Sequence, residues 1–168
     1  MNTSIEKDTH RYGGGVCPLF QKYYRRCQSA RNPILLIFYK IIFKYLKQKN
    51  HIELYYKTKI GDGLYIGHPY GITINPEAVL GKNINIHKGV TIGQENRGAR
   101  KGTPTIGNEV WIGINSTIVG KISVGNDVLI APNTYVNCDI PDHSVVFGNP
   151  CIIKHRDNAT EDYINNKV

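Results

Sequence analysis

The chain has 168 residues, of which 40% are hydrophobic, enough for one sizeable core with an appendage but not for two full domains. Its formal net charge of +8 implies an anionic partner, which a nucleic acid, a membrane surface or a phosphorylated cofactor would each supply. The four cysteines form no CxxC pair and the N-terminus has no apolar signal segment, so we expect reduced thiols and a cytoplasmic protein. The most apolar stretch, residues 34–46, falls short of the roughly 20 apolar residues that a transmembrane helix requires.

Two segments precede the main domain. Residues 1–15 are polar and end in three glycines, a composition that predicts a loose, flexible tail. Residues 16–51 have a helical pattern, in which Lys40, Lys44 and Lys47 form one polar stripe and apolar residues cover the other faces. So broad an apolar surface must pack on the following domain, a neighbouring subunit or a lipid surface. We expect packing within the protein, with peripheral membrane contact through this helical segment as the alternative.

From Ile60 onward a period of six residues replaces the helical one. Two irregularities interrupt it: an eight-residue step that contains His68 and Pro69, and a fourteen-residue step that contains the polar loop 94–105. The period predicts a coil of short strands and tight corners in which each aliphatic residue stacks on another one coil away, whereas a β-sandwich would alternate with period two. The repeating aliphatic positions are Ile60, Ile66, Ile74, Leu80, Ile86, Ile92, Ile106, Ile112, Ile118, Val124, Ile130 and Val136.

These repeats resemble the hexapeptide-repeat acyltransferases. Within that superfamily, residues 59–93 and the sequence GNP at 148–150 look like the serine acetyltransferase branch, and the similarity runs from about residue 52 to residue 154. The resemblance implies a mainly β fold, a left-handed parallel β-helix over residues 52–153 that follows a short N-terminal helical segment. Residues 154–168 then form a C-terminal extension.

The function that the resemblance implies is acetyl-CoA-dependent O-acetyltransfer by a homotrimer, with active sites between neighbouring subunits. The acceptor is a small molecule or a saccharide. Our main interpretation is a sugar of a surface polysaccharide precursor, because Thr103 stands where the branch has a second histidine and the short N-terminus lacks the serine-binding acidic residue. L-serine, on the route to cysteine, is the alternative, and a non-catalytic assembly module is a rival of another class. No motif supports a nucleic-acid partner.

His68 lies at the first irregularity, where the branch has its catalytic histidine. We expect it to act as the general base that takes the proton of the acceptor hydroxyl, because imidazole titrates near neutral pH. A histidine that only makes local hydrogen bonds at a corner is the alternative. Glu53 matches the branch's acidic residue that orients this histidine, whereas Gly67 replaces its aspartate. His87 is expected to line the cleft or to face solvent, with contact to the acceptor as the less favoured alternative.

The pantetheine arm of the cofactor is implied to run along the coil against five backbone positions. These positions are Gly93, Gly113, Ile114, Ala131 and Pro132. Arg97, Arg100 and Lys101 of the polar loop are candidates for the cofactor phosphates or an anionic acceptor, and a solvated loop tip is the alternative.

Two further cations, Lys154 and Arg156, follow the last coil and are candidates for the nucleotide phosphates. No pair of histidines, cysteines or acids has metal-ligand spacing, so no metal site is expected. Cys138 and Cys151 lie outside the region that holds His68, which favours direct acetyl transfer over a covalent intermediate.

Overall fold

Three helices precede the coil in the computed structural model, which describes residues 3–168. They are α1 (Ser4–His10), α2 (Leu19–Ser29) and α3 (Pro33–Lys49). Asn32 caps α3, its side chain accepting from the backbone N–H groups of Ile34 and Leu35. None of the described helices is long and apolar enough to cross a membrane.

The prediction of a loose tail over residues 1–15 is wrong for its described part. Thr3 and Glu6 form a reciprocal capping box that starts α1. Asp8 is buried, accepts from the N–H groups of Gly63 and Leu64, and is held by the Arg25 guanidinium at 2.8 Å. These contacts fix α1 against the first coil. Residues 1–2 of the predicted tail lie outside the described residues.

Short strands form three sheets, which are the three faces of a parallel β-helix. The first face holds β1 (Lys59–Ile60), β4 (Val79–Leu80), β7 (Thr105–Ile106) and β10 (Ser123–Val124). The second holds β2 (Tyr65–Gly67), β5 (Asn85–His87), β8 (Val110–Ile112), β11 (Val128–Ile130), β13 (Ser144–Phe147) and β14 (Ile152–His155). The third holds β3 (Thr73–Ile74), β6 (Thr91–Gly93), β9 (Thr117–Val119) and β12 (Tyr135–Val136). All neighbours are parallel except β14, which runs antiparallel to β13.

The core is the stack of repeating aliphatic residues, and each of them from Ile60 to Val136 is buried as the period predicts. On the second face, Ile66 pairs in register with Ile86, which pairs with Ile112. Full burial of one such side chain contributes about 1.5–3 kcal/mol. The corners must be narrow for the coils to stack: a Cβ on Gly81 would lie 2.5 Å from the carbonyl oxygen of Gly107.

The C-terminal segment folds back onto the second face instead of extending into solvent. Asn83 donates to the carbonyl of Val168, and Asn85 donates to the carbonyl of Tyr163, both at 3.0 Å. Arg11 of the N-terminal segment reaches the same face, where it donates to Asn85 at 2.7 Å. Both ends of the chain therefore cover this face, and α1 and α2 lie over the first coil.

Candidate active site

His68 lies directly after β2, at the corner between the second and third faces. Its backbone is in the left-handed region, with φ +56°, and its side chain is exposed. A cavity of about 490 Å³ borders it. Tyr65 and His87 of the coil line one side of this cavity, and Val16 and Leu19 of the helical segment line the other. The helical segment therefore contributes to the site as well as covering the coil.

His87 lines the same cavity as His68, and the sequence favoured a cleft-lining or solvated role for it. Its ring packs against Trp111, with the ring centroids 4.8 Å apart. Burial, and secondarily the nearby His68, lower the pKa of His87, so its imidazole is neutral at pH 7. Its Nε2 is buried and has no hydrogen-bond partner within residues 3–168. Most buried polar atoms in folded proteins have a hydrogen-bond partner, so Nε2 of His87 is an exception.

Gly67 makes room for His87. The two residues face each other in the register of β2 and β5, and a Cβ on Gly67 would lie 2.7 Å from Nδ1 of His87. The aspartate that the resemblance places at residue 67 would require the His87 ring to move from this position. Glycine at residue 67, where the branch has aspartate, therefore leaves the space that the His87 ring occupies.

Glu53 does not line the cavity beside His68 in the described residues. It bridges to Thr73 on the third face and lines cavities together with Lys47, neither of which borders His68. Within residues 3–168, no hydrogen bond joins Glu53 to His68. The structure thus brings together His68 and His87 but not Glu53, whose orienting role stays a prediction.

Four of the five predicted pantetheine positions lie on the same edge of the prism as His68. Gly113 and Ile114 follow β8, Ala131 and Pro132 follow β11, and both pairs lie between the second and third faces. A Cβ on Gly113 would lie 2.6 Å from the backbone nitrogen of Pro132, so these coils are in direct contact. The fifth, Gly93, ends β6 and lines a cavity of about 360 Å³ with Glu53.

The predicted phosphate-binding cations lie elsewhere. Arg97, Arg100 and Lys101 are exposed on the loop between β6 and β7, at the edge between the third and first faces. Lys154 lies on β14 with its Nζ 5.8 Å from the Phe147 ring, and Arg156 follows that strand. The two groups of cations are on different edges of the coil. No described group of three or more histidines, cysteines or acids could hold a metal ion.

Sequence reasoning missed a pair of corner residues, Asp127 and His143. His143 Nδ1 lies 2.8 Å from Asp127, which also accepts from the backbone of Ala159 and from Thr160. Burial alone would raise the pKa of Asp127, but these hydrogen bonds outweigh it and lower the pKa to about 2. The hydrogen bond to Asp127 raises the pKa of His143 in turn. The pair holds the C-terminal segment on the coil, and only the tertiary structure shows it.

Comparison with known proteins shows what this chain is similar to. The family model for the bacterial transferase hexapeptide (six repeats) matches residues 103–138. The serine acetyltransferase of Helicobacter pylori (strain ATCC 700392 / 26695) is 38% identical over 97 residues, which make up 58% of this chain and 57% of that protein. The chain thus spans little more than half the length of this curated relative.

Solved structures share the fold. The Neisseria gonorrhoeae serine acetyltransferase in complex with serine is 27% identical with a TM-score of 0.68, and the match covers 90% of this chain and 67% of that one. A serine acetyltransferase in complex with CoA is 23% identical with a TM-score of 0.70, covering 90% and 66%, a likeness that shows the fold alone. The predicted left-handed parallel β-helix and the resemblance to the serine acetyltransferases are both confirmed.

Proposed function

We propose that this chain, a left-handed β-helix of hexapeptide repeats similar to the serine acetyltransferases, moves the acetyl group of acetyl-CoA to an acceptor hydroxyl. The observation that carries the proposal is the position of His68. Its exposed imidazole borders a cavity and shares one edge of the prism with four of the positions expected to contact pantetheine. The curated relatives are named serine acetyltransferases, which supports acetyl-CoA as the donor.

The reaction follows from the position of the His68 imidazole at this edge. The imidazole takes the proton of the acceptor hydroxyl while the hydroxyl oxygen attacks the thioester carbonyl. The tetrahedral oxyanion then collapses, the C–S bond breaks, and the imidazolium returns the proton to the leaving CoA thiolate. In this scheme Glu53 would stabilise the imidazolium, although no hydrogen bond joins it to His68 within residues 3–168, and Glu53→Gln tests this role.

Direct transfer is favoured over a covalent acetyl-enzyme. Cys17 is the thiol nearest in sequence to the cavity-lining residues of the helical segment, and burial raises its pKa to about 11. A thiol of that pKa is almost wholly protonated at neutral pH and is a weak nucleophile. Cys138 and Cys151 lie beside each other after β12, with their sulfurs 3.6 Å apart, and burial raises the pKa of Cys138 as well.

L-serine is the acceptor that the relatives favour, over the sugar of our main interpretation. The curated relatives are named serine acetyltransferases, and the Neisseria gonorrhoeae structure contains serine. One observation keeps the sugar as a second candidate. Among the described residues, no acid lines the cavity beside His68 to pair with an ammonium group, whereas Tyr12 and Tyr65 offer aromatic surface. In either case we propose that Nε2 of His87 hydrogen-bonds the acceptor.

We also propose that the chain forms a homotrimer and that its basic side chains bind the phosphates of the cofactor. A homotrimer would place the cofactor between two coils, since head-to-tail contacts between flat faces close after three subunits. Arg97, Arg100 and Lys101 would then bind the phosphate end of the cofactor, and Lys154 and Arg156, which lie on a different edge of the coil, would reach the same cofactor only from the neighbouring subunit. A cytoplasmic location stays a prediction.

The experiment that tests this function follows CoA release from acetyl-CoA with L-serine, a panel of sugars and nucleotide sugars as acceptors. Fast release with L-serine supports the serine acetyltransferase interpretation, and release with only a sugar supports the second candidate. If no acceptor promotes release and the protein does not bind acetyl-CoA, the non-catalytic assembly module is the correct interpretation.

A further inference from the structure

An exposed apolar stripe runs along α3, and we call it the outer stripe. It consists of Ile34, Ile37, Phe38, Ile41 and Tyr45, which follow one another at i, i+3, i+4, i+7 and i+11 and so share one helix face. These side chains are between 55% and 78% exposed. Contiguous apolar surface of this kind marks a place where a partner binds.

The fold does not need the outer stripe for its own packing. The opposite side of α3 makes the intramolecular contacts: Phe43 is buried against Tyr24 at a ring distance of 6.1 Å, and Tyr39 packs edge-on against Tyr23 at 5.8 Å. α3 is therefore apolar on two sides, and α2 covers one of them. The sequence expectation that this helix packs within the protein holds for the inner side alone.

The charge around the outer stripe is wholly positive. Residues 16–51 contain eight lysines and arginines and no aspartate or glutamate. In the rest of the chain thirteen basic residues are balanced by thirteen acidic ones, so this segment supplies the entire net charge of +8. Lys40 and Lys44, one helical turn apart, are exposed beside the outer stripe.

We propose that α3 lies along an anionic lipid bilayer, with the outer stripe at the acyl boundary and the lysines among the headgroups. An amphipathic helix with aromatic and aliphatic residues beside lysines binds this interface, and α3 is too short and too charged to cross it. A second copy of the chain fits less well, since a symmetric contact would bring the exposed Lys40 and Lys44 of both copies together. A nucleic acid would leave the five apolar side chains in water.

Vesicle sedimentation tests the proposal without using enzymatic activity. The full chain is mixed with vesicles of phosphatidylcholine alone or of phosphatidylcholine with about one-third phosphatidylglycerol. We expect binding to the anionic vesicles that weakens as salt is raised, and little binding to the neutral ones. A chain that stays in the supernatant with both vesicles at low salt overturns the proposal.

Two pairs of substitutions separate the apolar and the charged contributions. Ile37→Gln/Ile41→Gln should weaken binding by about a hundredfold, because it removes two isoleucines that the bilayer would bury. Its matched control, Ile152→Gln/Ile153→Gln, changes two isoleucines that are also at least 37% exposed but lie on β14, and should bind as wild type does.

Lys40→Gln/Lys44→Gln should weaken binding by about thirtyfold, since each lysine near an anionic surface contributes roughly a fivefold gain in affinity. Lys82→Gln/Lys121→Gln, on the coil, is the control for net charge. Equal losses in test and control variants would mean that α3 is not the contact. Sedimentation velocity without lipid adds a second check: if Ile37→Gln/Ile41→Gln reduces the size of the assembly, another copy covers the outer stripe and the proposal is wrong.

Discussion

Replacing the buried Asp8 by asparagine should destabilise the protein by about 3–5 kcal/mol, the usual cost of leaving one partner of a buried ion pair without the other. Asp8 is 1% exposed, and its carboxylate accepts from Gly63, Leu64, Gln21 and the Arg25 guanidinium. Asparagine keeps the shape of the side chain, but it offers one acceptor oxygen and no charge, so the buried guanidinium loses its counter-ion.

Thermal unfolding followed by circular dichroism measures the effect. A chain of this size loses about 2–4 °C in Tm for each kcal/mol, so Asp8→Asn should lower Tm by roughly 10 °C. The matched control is Lys7→Gln, on the same helix, which removes an ion pair with Asp62 whose side chains are 34% and 25% exposed. A partly exposed pair contributes about 0–1 kcal/mol, and the control should lower Tm by no more than a few degrees. Equal Tm losses in the two variants would refute the view that α1 is an integral part of the fold.

Three further predictions concern the site and the C-terminal segment. His87→Leu should raise KM for the acceptor about tenfold, the cost of one hydrogen bond to a buried partner, and change KM for acetyl-CoA little; steady-state kinetics with both substrates varied would reveal the opposite pattern. Replacing Arg97, Arg100 and Lys101 together by alanine should raise KM for acetyl-CoA and leave Tm nearly unchanged. An unaltered KM would mean that the loop is a solvated tip that does not bind the cofactor. The depressed pKa of Asp127 means that its hold on the C-terminal segment is present above about pH 4 and is lost as pH falls towards 2. The protection factors of the two amides it accepts from, measured by hydrogen exchange, should fall over that range, and in Asp127→Asn they should already be low at neutral pH.

The sequence predicts the coil well because its determinants are local and repeated. Every coil needs an inward aliphatic residue and a narrow corner, so Ile66, Ile86 and Ile112 recur at positions that a period of six identifies. The eight-residue step identifies His68 for the same reason, because an interruption of a regular period is visible in the sequence itself.

The features that could not be predicted from the sequence depend on contacts between segments that are distant along the chain. Composition suggested a loose tail because a polar average conceals the capping box at Thr3 and Glu6, a signal that was present in the sequence. Nothing in the sequence pairs Asp8 with Arg25. Gly67 and His87 are seen to be neighbours only once β2 and β5 are paired in register. The family position of Glu53 does not reveal that in the single chain Glu53 lines a different cavity from the one beside His68.

The most direct test of the proposed function is the turnover of His68→Asn with the acceptor that the screen identifies. Asparagine tolerates the left-handed backbone at residue 68 and cannot accept the proton, so the fold should survive while the base is lost. His51→Asn is the matched control, since His51 is also exposed, with φ +52°, and lies outside the cavity beside His68.

We expect His68→Asn to lower kcat by about a hundredfold to ten-thousandfold, with the Kd for acetyl-CoA and the oligomeric state unchanged, and His51→Asn to match wild type. If His68→Asn turns over at close to the wild-type rate, His68 is not the general base, and the assignment of this cavity as the active site is contradicted.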